Sequence, residues 1–276
     1  MGLGLKNSGL GNGFKEITKA VVRIEDDGSI EVRHGWTEMG QGIHTIAMQV
    51  VIEELGTHLE IDPQKMHVVV DTTRELGLGQ TTGSRGTLMG AGAVQAACAT
   101  ALANGLARGV DHVGEYRVDW TTKLGDPNVV NPIIHSTFGY ASQLVIMDRD
   151  TGKVERVVAA HDVGRAMNPT LCEGQIEGSI HMGLGYALTE DVPSDPATGF
   201  PTNMTLRSLG ILRAKDVPPM DVILVERPQP NSPYGIKGVG EIGLVPTAGA
   251  VAAALFDYDG QWRTVLPMRP TNEDND

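Results

Sequence analysis

Residues Thr18 to Leu55 read TKAVVRIEDDGSIEVRHGWTEMGQGIHTIAMQVVIEEL, and the hydrophobic period changes once along them. From about Thr18 to Glu25, Val21 and Val22 sit among charged residues; Asp26-Asp27-Gly28 is a turn, and Ile30 and Val32 alternate with Glu31 and Arg33. This is the pattern of a β-hairpin. After Glu38-Met39-Gly40-Gln41-Gly42 the apolar residues fall at Ile43, Ala47, Val50, Val51 and Leu55, which share one face of a helix. The unit is a hairpin, a Gly-bearing loop and a helix.

The same plan recurs further on. Ala141 to Met147 reads as a strand, Asp148-Arg149-Asp150-Thr151-Gly152 as a turn and Val154 to Ala160 as the return strand. His161-Asp162-Val163-Gly164 then leads to a helix announced by Asn168-Pro169, a capping residue followed by proline at the first turn, with Ile176, Ile180, Leu184 and Leu188 on one face. Between and after these units the pattern predicts a strand from Met66 to Val70, an Ala-rich helix from Ser84 to Ala107, a strand from Asp221 to Glu226, a helix from Pro246 to Leu255 and a closing strand near Trp262 to Leu266. Asp111 to His135 is less regular, with Gly125-Asp126-Pro127 and Asn131-Pro132 as turn signals. Hairpins interleaved with helices predict an α+β fold, not a doubly wound parallel sheet. Two related hairpin-plus-helix subdomains are expected, residues 1–115 and 116–276.

Composition narrows the function. The formal net charge of -12 argues against a nucleic-acid groove, and aromatics at 4% offer little for stacking on bases. Part of that acidity sits in the closing TNEDND, which reads as a solvated tail. No apolar run approaches the ~20 residues needed to span a bilayer, and MGLGLKNSG lacks the layout of a signal peptide, so a cytoplasmic location without membrane contact is expected. The two cysteines, Cys98 and Cys172, form neither a CxxC nor a disulfide framework and are expected to be small buried hydrophobes. The eight histidines show no ligand spacing, so a metal, if present, is expected inside a cofactor.

The chemistry concentrates at Tyr234 to Thr247, YGIKGVGEIGLVPT, which sets one carboxylate, Glu241, among glycines and an apolar flank of Ile236, Val239, Ile242, Leu244 and Val245. If that flank excludes water, the carboxyl pKa rises towards that of a general base. On this segment alone, a carboxylate that caps the following helix or faces solvent is the commoner arrangement. Three polar turns also precede helices: Gly40-Gln41-Gly42, Gly79-Gln80-Thr81-Thr82-Gly83-Ser84, and Glu173-Gly174-Gln175 near the start of the third helix. Helix starts offer free N–H groups to an anion, and glutamine amides suit a pterin edge, although each turn taken singly is an ordinary cap. No P-loop or dinucleotide fingerprint is present.

In order along the chain, GLGNGF (Gly9 to Phe14), EMGQGIHT (Glu38 to Thr45), TTGSRGTLMGAGAV (Thr81 to Val94), HDVGRAMNP (His161 to Pro169), EGQIEGSIHMGLGYALTE (Glu173 to Glu190) and KGVGEIGLVPTAGAVAAAL (Lys237 to Leu255) resemble the molybdopterin-binding subunit of xanthine dehydrogenases and related molybdenum hydroxylases. The resemblance implies that Gly40, Gln41 and Gly42 contact the pterin near molybdenum. It implies that Thr81, Thr82, Ser84 and Arg85 surround the phosphate or nucleotide end, that Gln175 is a further pterin contact, and that Glu241, beside Gly240, is the base. No side chain is expected to bind the metal, which the dithiolene of molybdopterin, or of its cytosine dinucleotide form, would hold. The implied reaction is hydroxylation, with water, of an N-heterocycle such as xanthine, hypoxanthine or a nicotinate-like ring. The alternatives are an aldehyde oxidoreductase subunit and a non-catalytic cofactor-binding or scaffold subunit. The family's preceding Phe-Gly-Gly loop, substrate-orienting arginine and aromatic pair have no equivalent here. The resemblance therefore implies the C-terminal half of a split subunit, or a truncated one. Its partners would be the complementary N-terminal half, a [2Fe-2S] iron-sulfur subunit and an FAD subunit.

Overall fold

The computed structural model describes residues 1–70, 73, 76 and 81–268; Gly79, Gln80 and the acidic tail lie outside them. Among the described residues the fold is α+β, with two four-stranded sheets and four α-helices. The first unit contains β2 (Glu16–Ile24), β3 (Ile30–His34), α1 (Ile43–Leu55), β4 (Met66–Val70), α2 (Gly86–Ala103) and β5 (Asp111–Val118). The second contains β6 (Thr137–Met147), β7 (Val154–Asp162), α3 (Pro169–Leu188), β8 (Met220–Val225) and α4 (Thr247–Asp259). The start of the chain, β1 (Gly2–Ser8), completes its sheet.

The sheets match strand for strand: the orders are β4-β3-β2-β5 and β8-β7-β6-β1. In each, the hairpin is antiparallel, with Val22 opposite Val32 and Val145 opposite Val157, and the strand after the helix adds parallel to the hairpin's second strand. The sequence repeat is thus a structural repeat, except that the second unit takes its last strand from the other end of the chain. This ties the N-terminus into the distal sheet.

Each sheet buries one face under helices. In the first core Val22, Val32, Val50, Val51, Leu55 and Ala97 are wholly buried; in the second, Val157, Ile176, Ile180, Val251 and Leu255 are. Each such aliphatic contributes about 1.5–3 kcal/mol of transfer free energy. The apolar α2 belongs to the first core, packed on β2, β5 and α1.

Several expectations need correction. The region from Asp111 is irregular by sequence pattern, yet it opens with β5, whose inward positions are His112, Gly114, Tyr116 and Val118. Gly114 hides the strand from a hydrophobic-pattern reading for a steric reason: a Cβ there would collide with the backbone of Ala96 and Ala97 on α2. Gly2 on β1 is pressed in the same way against Pro246 and Ala250 at the start of α4. The expected division after residue 115 falls inside β5, and β1 pairs in the other unit's sheet. No strand forms at Trp262 to Leu266; Trp262 instead stacks on Phe256 with ring centroids 4.3 Å apart. The Ala-rich helix is trimmed to 86–103, and α4 runs on to Asp259. Cys98 is buried as expected, but Cys172 is only half-buried, at the edge of the cleft described next.

Candidate functional site

The N-termini of α1, α2 and α3 converge with the 236–241 loop on one cleft of about 340 Å³. The residues before α1 and α2, Gly42 and Arg85, make no side-chain cap bond of their own, although Glu38 takes the His44 N–H in the first turn of α1 at 3.2 Å. At α3, Asn168 accepts the Leu171 N–H at 3.0 Å, so that start is capped by its own side chain. First-turn N–H groups have no intrahelical acceptor, and the helix dipole places partial positive charge there. The cleft is therefore suited to an anionic, polar ligand.

Most of the residues expected at the site come together. Gln41, Thr81, Thr82, Ser84, Arg85, Gln175, Gly240 and Glu241 all line the cleft. Gly40 and Gly42, also expected there, are not among its lining residues; Gly40 is exposed, and Gly42 packs against the lining residue Leu171. Gly42 adopts φ 83°, and a Cβ there would meet Leu171 at 2.5 Å. Gln41 is already engaged within its own loop, donating to the Thr37 carbonyl at 2.7 Å and accepting the Met39 N–H at 2.5 Å. Thr81 Oγ1 accepts the Thr37 N–H at 3.0 Å, tying this loop to the segment before α2. The Arg85 guanidinium is buried, pairs with Glu16 at 2.7 Å and lies over Trp36, so its charge is spent within the fold.

The organiser of the first loop is Glu38, which the sequence pattern does not single out. Its Oε1 accepts N–H groups of Gly40 and Gly42 at 2.8 and 3.0 Å, and its Oε2 that of His44 at 3.2 Å. Partial burial pushes this carboxyl up, but the three backbone donors outweigh it and hold it below the usual range. The only clue in the sequence is a carboxylate two residues before a Gly-x-Gly turn.

Glu241 departs from expectation. The flank does not exclude water: Leu244 and Val245 are themselves exposed, and the Glu241 side chain is 50% accessible. Its Oε2 accepts from Ser84 Oγ at 2.6 Å and pairs with Lys6 Nζ at 3.1 Å, while its N–H donates to the same Ser84 Oγ at 3.0 Å. Burial pushes the carboxyl up, but the hydrogen bonds from Ser84 and Lys6, with the lysine charge, win, and its pKa lies below the ordinary value. Among the described residues Oε1 accepts no hydrogen bond, which leaves one lone-pair face of the anion available. Nothing in the sequence marks Lys6, because β1 itself is not legible there.

A buried polar frame fixes the loop that carries Glu241. Gly238 N–H donates to Ser8 Oγ at 3.0 Å, and Lys237 pairs with Asp162 at 2.6 Å. Ser179 Oγ donates to the Gly240 carbonyl at 3.2 Å, and Gln143 Nε2 to that of Gly243 at 2.7 Å. Thr247 Oγ1 in turn donates to Gln143 Oε1 at 2.8 Å. With these bonds satisfied in the interior, the loop is held in one geometry.

The donor set fits the pterin cofactor implied by the sequence. The start of α2 and the Gln175 amide can meet phosphate and pterin edges, and among the described residues no cluster of three or more His, Cys, Asp or Glu is placed to hold a metal. A metal borne by its own organic ligand requires no such cluster.

Comparison with known proteins points the same way. The family model described as molybdopterin cofactor-binding domain matches residues 1–110 and 103–218. The chain is 29% identical to a probable xanthine dehydrogenase subunit of Bacillus subtilis, over 96% of this chain and 40% of that protein. It is 27% identical to the gamma subunit of the 6-hydroxypseudooxynicotine dehydrogenase complex of Paenarthrobacter nicotinovorans, over 98% and 38%. Among solved structures, the aldehyde oxidoreductase of Desulfovibrio desulfuricans superposes with a TM-score of 0.80 at 25% identity, covering 98% of this chain and 31% of that one. The chain thus spans well under half the length of these relatives.

Proposed function

The chain belongs to the molybdopterin cofactor-binding domain family, and from this we propose that it is the cofactor-holding part of a molybdenum hydroxylase in which Glu241 is the general base. The observation that carries the reading is the position of Glu241: it lies on the cleft where the three helix starts converge, with Oε2 clamped by Ser84 and Lys6 and Oε1 accepting no hydrogen bond among the described residues. When bound, molybdopterin supplies two-electron redox chemistry through its metal. The residues of this chain do the rest. The start of α2 meets the ligand's negative charge, Gln175 offers its amide, and the 38–42 loop, held by Glu38, shapes the wall. Glu241, an anion at neutral pH, takes at Oε1 the proton released by water as an electron-poor carbon is hydroxylated.

An N-heterocycle is the preferred substrate class, supported by the xanthine- and oxynicotine-directed names of the two relatives. The aldehyde oxidoreductase superposition supports an aldehyde as the second reading. Electrons would leave through [2Fe-2S] and FAD carried by partner subunits, alongside a polypeptide equivalent to the unmatched length of the relatives. Glu241→Gln tests the assignment in the assembled complex. It is expected to keep its molybdenum and to lose hydroxylation by about 10²- to 10⁴-fold, the usual contribution of a positioned base. Wild-type turnover by a molybdenum-replete variant would instead make this chain a scaffold.

A further inference from the structure

The two sheets match strand for strand, yet one outer face is mainly charged and the other mainly apolar. On the first, the outward positions of β2, β3 and β5 carry Lys19, Arg23, Glu31, Arg33, Asp111 and Glu115, laced by ion pairs such as Arg23 with Asp111 at 3.1 Å and Arg33 with Asp111 at 3.2 Å. That is the surface expected of an antiparallel sheet with one face in water. On the second, the outward positions bear mostly apolar side chains, Leu3 and Leu5 of β1, Tyr140, Leu144 and Ile146 of β6 and Ile223 of β8, with an Arg156–Asp221 ion pair at 2.7 Å towards the β7-β8 edge. The register places these on one side: Leu5 is opposite Tyr140, Leu144 opposite Val158, and Ala160 opposite Ile223. Leu3 is 75% exposed, Leu5 55%, Tyr140 58% and Ile223 51%. Single exposed apolar residues are ordinary, but a cluster of them on one sheet face, as across β1 and β6, marks an interaction site.

We propose that this outer face of the β1-β6-β7-β8 sheet docks the polypeptide equivalent to the part of the relatives' molybdenum subunits that this chain does not match. The inference rests on the functional reading above, which makes the chain part of a larger assembly. The occupant is argued from length: in the relatives described, more than half of each chain lies outside the matched region. There this fold is joined to further protein. The first sheet's outer face is laced with ion pairs; the second's, around Leu3, Leu5, Tyr140 and Leu144, is mainly apolar. A second copy of this chain is the competing occupant.

The test uses this chain carrying an affinity tag, isolated from its host as the assembled complex, with hydroxyl-radical labelling of Leu3, Leu5, Tyr140, Leu144 and Ile223 compared between complex and isolated full chain. The expected result is a co-purifying polypeptide related to the relatives' unmatched region, with several-fold loss of labelling on this face and none on the strands that carry Lys19 and Glu115. Leu5→Glu combined with Leu144→Lys, both solvent-facing, should leave the melting temperature of the isolated chain unchanged and release that polypeptide. Undiminished labelling in the complex, retention of the polypeptide by the double variant, absence of any such polypeptide, or protection arising from homodimers of this chain alone would each overturn the proposal. Molybdenum measured on the same samples separates the two claims. A protected face without molybdenum removes the functional reading and leaves the docking surface standing; a molybdenum-loaded complex with a fully labelled face does the reverse.

Discussion

Lys6 and Glu241 stand at opposite ends of the chain and meet at 3.1 Å because β1 is the edge strand of the second sheet. Lys6 and Ser84 keep the Glu241 anion stable below the ordinary carboxylate range, against the effect of burial. A base works only when deprotonated, so the acid limb of the pH–rate profile should lie low. Lys6→Met removes the cation and its hydrogen bond, and the limb should move to higher pH with molybdenum content unchanged; pH–rate profiles of the two complexes check this, and a stationary limb would remove Lys6 from the site. Glu241 was legible from the sequence because glycines bracket one carboxylate. Its charge state was not, since it depends on a lysine and a serine that only the tertiary fold delivers.

At the scale of elements, the loop from Thr37 to Gly42 is held from inside by Glu38 and Gln41. Gly42→Ala puts a Cβ at φ 83°, in contact with Leu171, and is expected to cost about 1–3 kcal/mol, read as a lower melting temperature. Gln41→Ala removes two bonds that shape the loop as well as an amide beside the cleft. It should therefore lower both molybdenum per assembled complex and, modestly, the melting temperature; full occupancy with full activity would take Gln41 out of the cofactor's reach. Both hairpins, α1, α3, β4 and β8 were legible from period and turn residues. β5 and β1 were not, because Gly114 and Gly2 face helices packed too close for a side chain, and the apolar alternation that marks a strand is lost there.

At the scale of the molecule, His34 and His161 are sealed in the interior, 2% and 0% exposed. Burial pushes His34 down to about 4, helped by neighbouring His44 and opposed by Glu38, and burial alone pushes His161 down to about 4. The unfolded chain binds these protons near pH 6.5, so stability is full above that pH and falls as pH drops from 6.5 towards 4, by about 1.4 kcal/mol per pH unit for each histidine. Denaturant unfolding at pH 7, 6 and 5 checks this, and equal stabilities would mean that the histidines are not buried as neutral bases. The repeat of hairpin and helix was legible in the sequence, whereas the exchange of an edge strand between units was not, since strand pairing between distant segments leaves no local pattern. The site depends on that exchange, as Ser8 and Lys6 arrive on the borrowed strand to hold the Glu241 loop. The central claim, that this fold exists to hold molybdopterin, is tested most directly by measuring molybdenum and released pterin per copy of this chain in the complex isolated from its host. The account predicts about one of each per chain, as one converging cleft requires; a fully assembled complex containing neither would contradict it.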